Sequence, residues 1–232
     1  MNKQMVEGLL RKFDIFKDLS DIEMEPIIEL TKYRTQPKGT HVFFQDDPMT
    51  NIYFINWGKV KIYKTDFNGK EQIMNILKAG DMFPHQGFFN KDANYPAHAV
   101  VYEETMLAYI PIEDFRKLLI TQPDICMKLL QVLSVLIADL QTRLGEKIMN
   151  DTREQIIKLL LRLTQSHGEK LDGGKIVLTT PFTNQELANM IGSSRESVSR
   201  TLSNLRKNKM VLNDKDGHIV IDFPKLHEEI IY

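Results

Sequence analysis

Toward the C-terminus, Arg195, Glu196, Ser199 and Arg200 stand at spacings that bring their side chains together on a helix. Arg195 and Ser199 are i, i+4 neighbours, and so are Glu196 and Arg200. An arginine fork matches guanine O6 and N7, and a carboxylate accepts from cytosine N4, so this set carries base-reading chemistry. From Arg195 to Lys209 there are five basic residues (195, 200, 206, 207, 209) against one acid, Glu196, a local +4. The whole chain balances 30 Lys+Arg against 31 Asp+Glu, so any contact with a polyanion must be this local patch.

The neighbouring residues supply the elements that would hold these side chains. Thr183 and Glu186 form a capping box ahead of Leu187, Met190 and Ile191. Gly192 makes a tight turn, and Ser193 with Glu196 reads as a second capping box before Val198, Leu202 and Leu205. Two short helices joined through a glycine are the helix-turn-helix pattern. Met210–Leu212 and His218–Ile221, separated by Asn213–Gly217, predict a hairpin directly behind it, the layout of a winged helix.

Other chemistries find little support. The single cysteine, Cys126, excludes a disulfide framework, a cysteine zinc site and a cysteine-ligated cluster, and reads as a buried, inert thiol. The six histidines show no HxxxH or HxH spacing, so no metal site is expected, and no cofactor is implied. No nucleophile–base pairing, phosphate-cradling glycine loop or carboxylate dyad points to an enzyme. The charged N-terminal segment is neither a signal peptide nor a membrane span, so a cytoplasmic protein without membrane contact is expected.

The 232 residues, 42% hydrophobic and 26% charged, suit one or two globular domains. Val6, Leu9, Leu10 and Phe13 recur at helical spacing, and Ser20 with Glu23 opens a second helix that Pro26 should kink or restart. From about 33 to 110 the period changes to short β-branched and aromatic runs. These are His41–Phe44, Ile52–Ile55, Lys59–Lys64, Gln72–Leu77, Ala97–Val101 and Met106–Ile110. Asn68-Gly69 predicts a type I′ hairpin turn. Glu113–Ile120 and the run after Pro123 return to helix, and Asp151 with Glu154 caps another, which should stop at Gly168. In the long helix Leu130, Leu133, Ile137, Leu140 and Leu144 step by 3, 4, 3, 4, the seam of a coiled coil. A helix packed on its own domain fits that spacing as well; its place between two regions of different composition favours a homodimer. The expected fold is α+β: an antiparallel barrel, sandwich or β-roll within 1–122, a dimerisation helix over 123–150 and a winged helix-turn-helix over 151–232.

Ile191-Gly192-Ser193-Ser194-Arg195-Glu196-Ser197-Val198-Ser199-Arg200 resembles the recognition-helix signature of the CRP/FNR family of bacterial transcription regulators. Phe54-Ile55-Asn56-Trp57-Gly58-Lys59-Val60 and Gly80-Asp81-Met82-Phe83 resemble that family's roll. The resemblance implies a homodimer on double-stranded DNA, with Arg195, Glu196, Ser199 and Arg200 reading TGTGA-like half-sites. It places Thr183, Asn184, Gln185, Ser194 and Ser197 against phosphates, where Arg206 and Lys207 add charge. It also implies RNA polymerase contacts through Ser166–Gly174 or the Asp66–Glu71 hairpin tip.

The resemblance breaks where members hold a cyclic nucleotide. Pro84 stands for a glycine, His85 for the glutamate that takes the ribose, Tyr95 for the phosphate-binding arginine and Pro96 for Ser/Thr. Tyrosine has no guanidinium fork, and proline has no N–H to donate. DNA binding independent of cyclic AMP is therefore expected, with an unidentified small-molecule effector or none. Phe83, Phe88, Phe89 and Tyr95 would fill the vestigial site or line one for an apolar ligand. A reading from another class is a small-molecule or redox receptor whose main output is protein–protein contact.

Overall fold

The structure is a computed structural model that describes every residue except 1, 2, 67, 68, 70, 88, 91 and 232; for 148, 149 and 231 it describes the backbone alone. The chain divides into two compact units, Met1–Asp139 and Leu140–Tyr232.

The first unit opens with α1 (Lys3–Leu10) and α2 (Asp21–Leu30). The predicted stripe ends early: α1 stops at Leu10, and Phe13, Ile15 and Phe16 bury themselves from the turns that follow. Three large apolar side chains so close in sequence cannot all lie on one helical face, so their burial overrides the helix. Phe13 and Phe16 both pack on Phe54, with ring centroids 5.2 and 5.1 Å away. The Ser20–Glu23 capping box forms as expected, but α2 runs through Pro26 without restarting. The donor that Pro26 lacks would have served the Ile22 carbonyl, and Ile22 is exposed, so the missing bond does not fall in the core.

An antiparallel sheet follows, made of β1 (Lys32–Gln36), β2 (His41–Phe43), β3 (Asn51–Thr65), β4 (Glu71–Lys78), β5 (Met82–Phe83) and β6 (His98–Pro111). Its order is β1-β6-β3-β4, with β2 also on β6 and β5 also on β3. The predicted runs Ile52–Ile55 and Lys59–Lys64 are one fifteen-residue strand, and Ala97–Val101 and Met106–Ile110 likewise fuse into β6. Gly58 explains why the punctuation is a bend rather than a turn. It has φ +89°, and a Cβ there would stand 2.4 Å from both the Glu104 carbonyl and Thr105 Oγ1. Bulges at Ile55/Trp57 and Lys59/Val60 carry β3 past β6 at this point. The Thr105 hydroxyl clamps it, accepting from the Lys59 N–H at 3.0 Å. Asn68 of the predicted type I′ turn lies outside the described residues; Gly69 has φ +76°.

Two helices complete this unit: α3 (Ile112–Thr121) and the start of α4 (Pro123–Met149), whose Ile125 and Leu129 are fully buried in the same core. Cys126 is partly buried against that core. By length and composition α4 is apolar enough to cross a membrane; those two side chains instead tie its beginning to the roll.

The second unit holds the rest of α4, α5 (Thr152–His167), β7 (Gly168–Lys170), a 3-10 turn at Asp172–Gly174, β8 (Lys175–Leu178), α6 (Asn184–Ile191), α7 (Arg195–Lys207), β9 (Val211–Asn213), β10 (Ile219–Asp222) and α8 (Phe223–Ile231). The sheet order is β7-β8-β10-β9. Asp151 caps α5 as expected, its side chain accepting from the Glu154 N–H at 2.8 Å. Gly168 ends α5 for a different reason than a left-handed cap: its φ is −97°, and a Cβ there would meet the Thr164 carbonyl at 2.2 Å. Neither β7 nor the closing helix α8 was expected.

Candidate nucleic-acid interface

Thr183 opens α6 with the expected box: its hydroxyl accepts from the Glu186 N–H at 3.2 Å, and the Glu186 carboxylate accepts from the Thr183 N–H at 2.8 Å. Leu187, Ala188 and Ile191 are buried. Gly192 then takes the left-handed conformation, φ +65°, that a β-carbon would disfavour. The Ser193 N–H returns to the Ala188 carbonyl at 3.0 Å. Ser193 is thus spent on closing α6, and the cap of α7 falls one residue later than expected. Ser194 is the N-cap, accepting from the Ser197 N–H at 3.2 Å.

Val198, Leu202 and Leu205 are fully buried, which fixes the rotation of α7 about its axis. Arg195, Glu196 and Arg200 consequently face solvent and Ser199 is half-buried beside them. Arg195 and Arg200 form no salt bridge among the described residues, so both forks are available. Backbone N–H donation at the start of the helix, and then the Ser194 hydroxyl, hold the Glu196 carboxyl below its usual range. It therefore remains an acceptor at neutral pH, next to two cations.

The expected phosphate-contacting residues cluster at the two helix starts. Thr183 and Ser194 use their hydroxyls as caps, Ser197 sits one turn into α7, and Asn184 and Gln185 open α6. Gln185 donates to Asn189 Oδ1 at 2.7 Å. Helix N-termini present free N–H groups to anions, which suits phosphate. Lys207 is exposed. Arg206 is engaged: its Nε donates to Asn213 Oδ1 at 3.0 Å, tying the end of α7 to the β9–β10 wing. At the wing tip Asp214 accepts from the N–H groups of Asp216 and His218 at 2.9 and 2.8 Å. Asp214, Asp216 and His218 bring ligand-type atoms within 4.8 Å of one another; their mutual bonds are those of a capped turn. Sequence spacing of histidines alone did not show this grouping.

In the first unit, the four residues expected at a degenerate effector site lie at different depths. Tyr95 is buried in the roll, stacked on Phe43 at 3.8 Å with an interplanar angle of 4°. Its hydroxyl accepts from the Asn51 N–H at 3.1 Å. Tyr53 and Phe83 extend the same aromatic cluster. Pro84 is buried and Pro96 half-buried. His85 instead lines a cleft of about 520 Å³ with Asp81, Leu77, Lys128, Gln131 and Leu136. Burial pushes its imidazole below the usual range. Phe89 is exposed and does not fill the interior as the sequence suggested; Phe88 lies outside the described residues.

Two family models match the chain: a cyclic nucleotide-binding domain over residues 33–122 and a Crp-like helix-turn-helix domain over residues 154–229. The chain is 30% identical over 201 residues to the "Probable transcriptional regulator flp" of Lacticaseibacillus casei, covering 85% of this chain and 86% of that one. This chain belongs to the CRP/FNR family of transcription regulators. It is also 26% identical over 224 residues to a CRP-like cAMP-activated global transcriptional regulator of Mycobacterium tuberculosis, covering 95% and 98% of the two chains. Among solved structures, the c-di-GMP responsive regulator CLP of Xanthomonas campestris shares the fold, with TM-score 0.74, 21% identity and coverage of 87% and 99%. The family consists of regulators rather than enzymes, and the helix-turn-helix is its DNA-binding element.

Proposed function

We propose that this CRP/FNR regulator acts in the cytoplasm as a homodimer on palindromes of TGTGA-like half-sites. The observation that carries this reading is the outer face of α7, where Arg195, Glu196 and Arg200 stand exposed on a helix held by three fully buried side chains. Dimerisation is supported by α4, which leaves Leu130, Ile137, Leu140 and Leu144 exposed by 50%, 56%, 56% and 61%. With Leu133 turned partly into the roll core, these four make an exposed apolar stripe of the kind a partner helix covers. Two-fold-related recognition helices require half-site centres about 10–11 base pairs apart. Within Ser166–Gly174, the exposed run Glu169–Gly174 offers an approach for RNA polymerase.

DNA binding independent of cyclic AMP follows from Tyr95. Its ring fills space in the roll against Phe43, and position 95 offers a phenol in place of the guanidinium by which members of the family hold the phosphate. Removing one partner of a buried charge pair costs about 3–5 kcal/mol, or roughly two to four powers of ten in affinity. The His85 cleft leaves room for a different effector, though none is required. Fluorescence anisotropy of ligand-stripped protein on a labelled palindrome, with calorimetric titration of cyclic AMP in parallel, tests both parts. Nanomolar, sequence-dependent binding with no heat from cyclic AMP is expected. Binding that appears only on adding cyclic AMP overturns the independence; equal affinity for scrambled duplex overturns the base reading.

A further inference from the structure

One lysine outside the helix-turn-helix is bonded to its turn. Lys147 lies in the last turn of α4, and its Nζ donates to the Ile191 carbonyl at 2.7 Å. That carbonyl belongs to the end of α6, where the last four carbonyls lack an intrahelical donor and the helix dipole favours a cation. The same ammonium stands 3.6 Å from where a Cβ on Gly192 would be. It therefore sits over the left-handed turn that determines the angle at which α7 leaves α6. No carboxylate forms a salt bridge with Lys147 among the described residues; its second partner is Gln155 of α5, whose Oε1 accepts at 3.5 Å, so the shortest bond of the ammonium is the one to this turn.

Adjacent residues anchor the same end of α4 to α5. Glu146 pairs with Arg162. Lys158 Nζ donates to Asn150 Oδ1 at 2.8 Å, and Gln155 Nε2 donates to the Asn150 carbonyl at 2.8 Å. The last turn of α4 is thus bonded to α5 on one side and to the α6–α7 turn on the other.

We propose that Lys147 is a positioning residue for sequence reading. It fixes the α6–α7 turn against the end of α4, and so the pitch at which Arg195, Glu196 and Arg200 are presented, without touching DNA itself. This rests on α7 being the base-reading helix, as argued above.

The test uses full-length protein, a labelled palindrome and a scrambled duplex, each titrated over a salt series. Lys147→Met keeps the aliphatic stem and removes the donor; Lys147→Arg keeps a charged donor. Lys147→Met should lose about tenfold on the palindrome, as expected for one charged hydrogen bond. Its affinity for scrambled duplex and its salt slope should match wild type, and Lys147→Arg should restore most of the discrimination. A purely stabilising contact would lower the melting temperature and leave the ratio between duplexes unchanged, which overturns the proposal. Equal weakening on both duplexes with a salt slope reduced by about one makes Lys147 a phosphate ligand instead. Wild type is measured first: if it shows no preference for the palindrome, the parent reading fails and this one with it. If it discriminates and Lys147→Met discriminates equally, this inference alone fails.

Discussion

Arg200 and Lys207 lie on the same helix, yet their removal should read differently. Arg200 stands beside Glu196 on the outer face near the start of α7, whereas Lys207 closes its last turn. Arg200→Ala should cost about 1–3 kcal/mol per half-site and relax preference at one base pair. Lys207→Ala should weaken every sequence alike and reduce the salt slope by about one. Competition binding against a library with each half-site position randomised separates the two; a uniform effect of Arg200→Ala would count against base reading. His85 makes a different residue-level prediction. Its folded-state pKa is depressed by burial, so below about pH 6.5 the unfolded chain binds the proton more readily than the folded one. The stability it contributes is complete above that pH and is lost as the pH falls toward the folded-state value. Thermal melts at pH 7.5, 6.5 and 5.5 should show the first unit losing stability on acidification. His85→Gln should flatten part of that dependence; an unchanged slope would dismiss His85 as its source.

At the scale of elements, α4 offers the sharpest test of assembly. Leu133 belongs to the spaced seam, but it is partly buried against the roll core, so a charge there would damage the fold as well. Ile137 and Leu144 are exposed and free of that ambiguity. Ile137→Asp with Leu144→Asp should bury unpaired charge in the helix pair, cost several kcal/mol and leave a folded monomer by analytical ultracentrifugation. An intact dimer would remove α4 as the interface. Gly58→Ala is the corresponding test of the sheet. A methyl group 2.4 Å from the Glu104 carbonyl, at a positive φ, should lower stability by about 1–3 kcal/mol in chemical denaturation. The same elements show how far local sequence rules reach. Capping boxes at Ser20 and Thr183 and the glycine turn were legible because each is set by residues a few positions apart. The cap of α7 was misplaced by one residue because closing α6 consumed Ser193, a competition that propensity alone does not show. Strand β3 was read as two because Gly58 resembles a turn until the partner strand is present to meet it, and β6 as two because Glu103-Glu104-Thr105 interrupts its apolar pattern. Lys147 and the wing tie from Arg206 to Asn213 left no sequence signal. A lysine in a last helical turn is ordinarily explained by its own helix dipole.

For the molecule as a whole, the near-neutral charge bears on DNA binding. With a net charge of −1, there is no long-range field to pull the protein onto any duplex. Affinity for scrambled DNA should be weak and steeply salt-dependent, while palindrome binding keeps the short-range share supplied by α7. Measuring both between 50 and 200 mM salt, a range over which phosphate-driven binding falls by about 10³–10⁵, should show the ratio widening; parallel lines would mean that phosphate contacts dominate both.

One feature of α4 bears on rebuilding the protein. Ile125 and Leu129 belong to the packing of the roll, while Glu146 and Lys147 are bonded within the second unit. The helix therefore has two owners, and a cut at either of its ends strips one of them. A fragment ending at Gln122 would leave the roll with a raw apolar wound, and one beginning at Asp151 would leave the α6–α7 turn without its ammonium. Grafts that exchange DNA preference between relatives should be spliced inside the helix, between Leu129 and Glu146, so that both sets of anchoring contacts are kept.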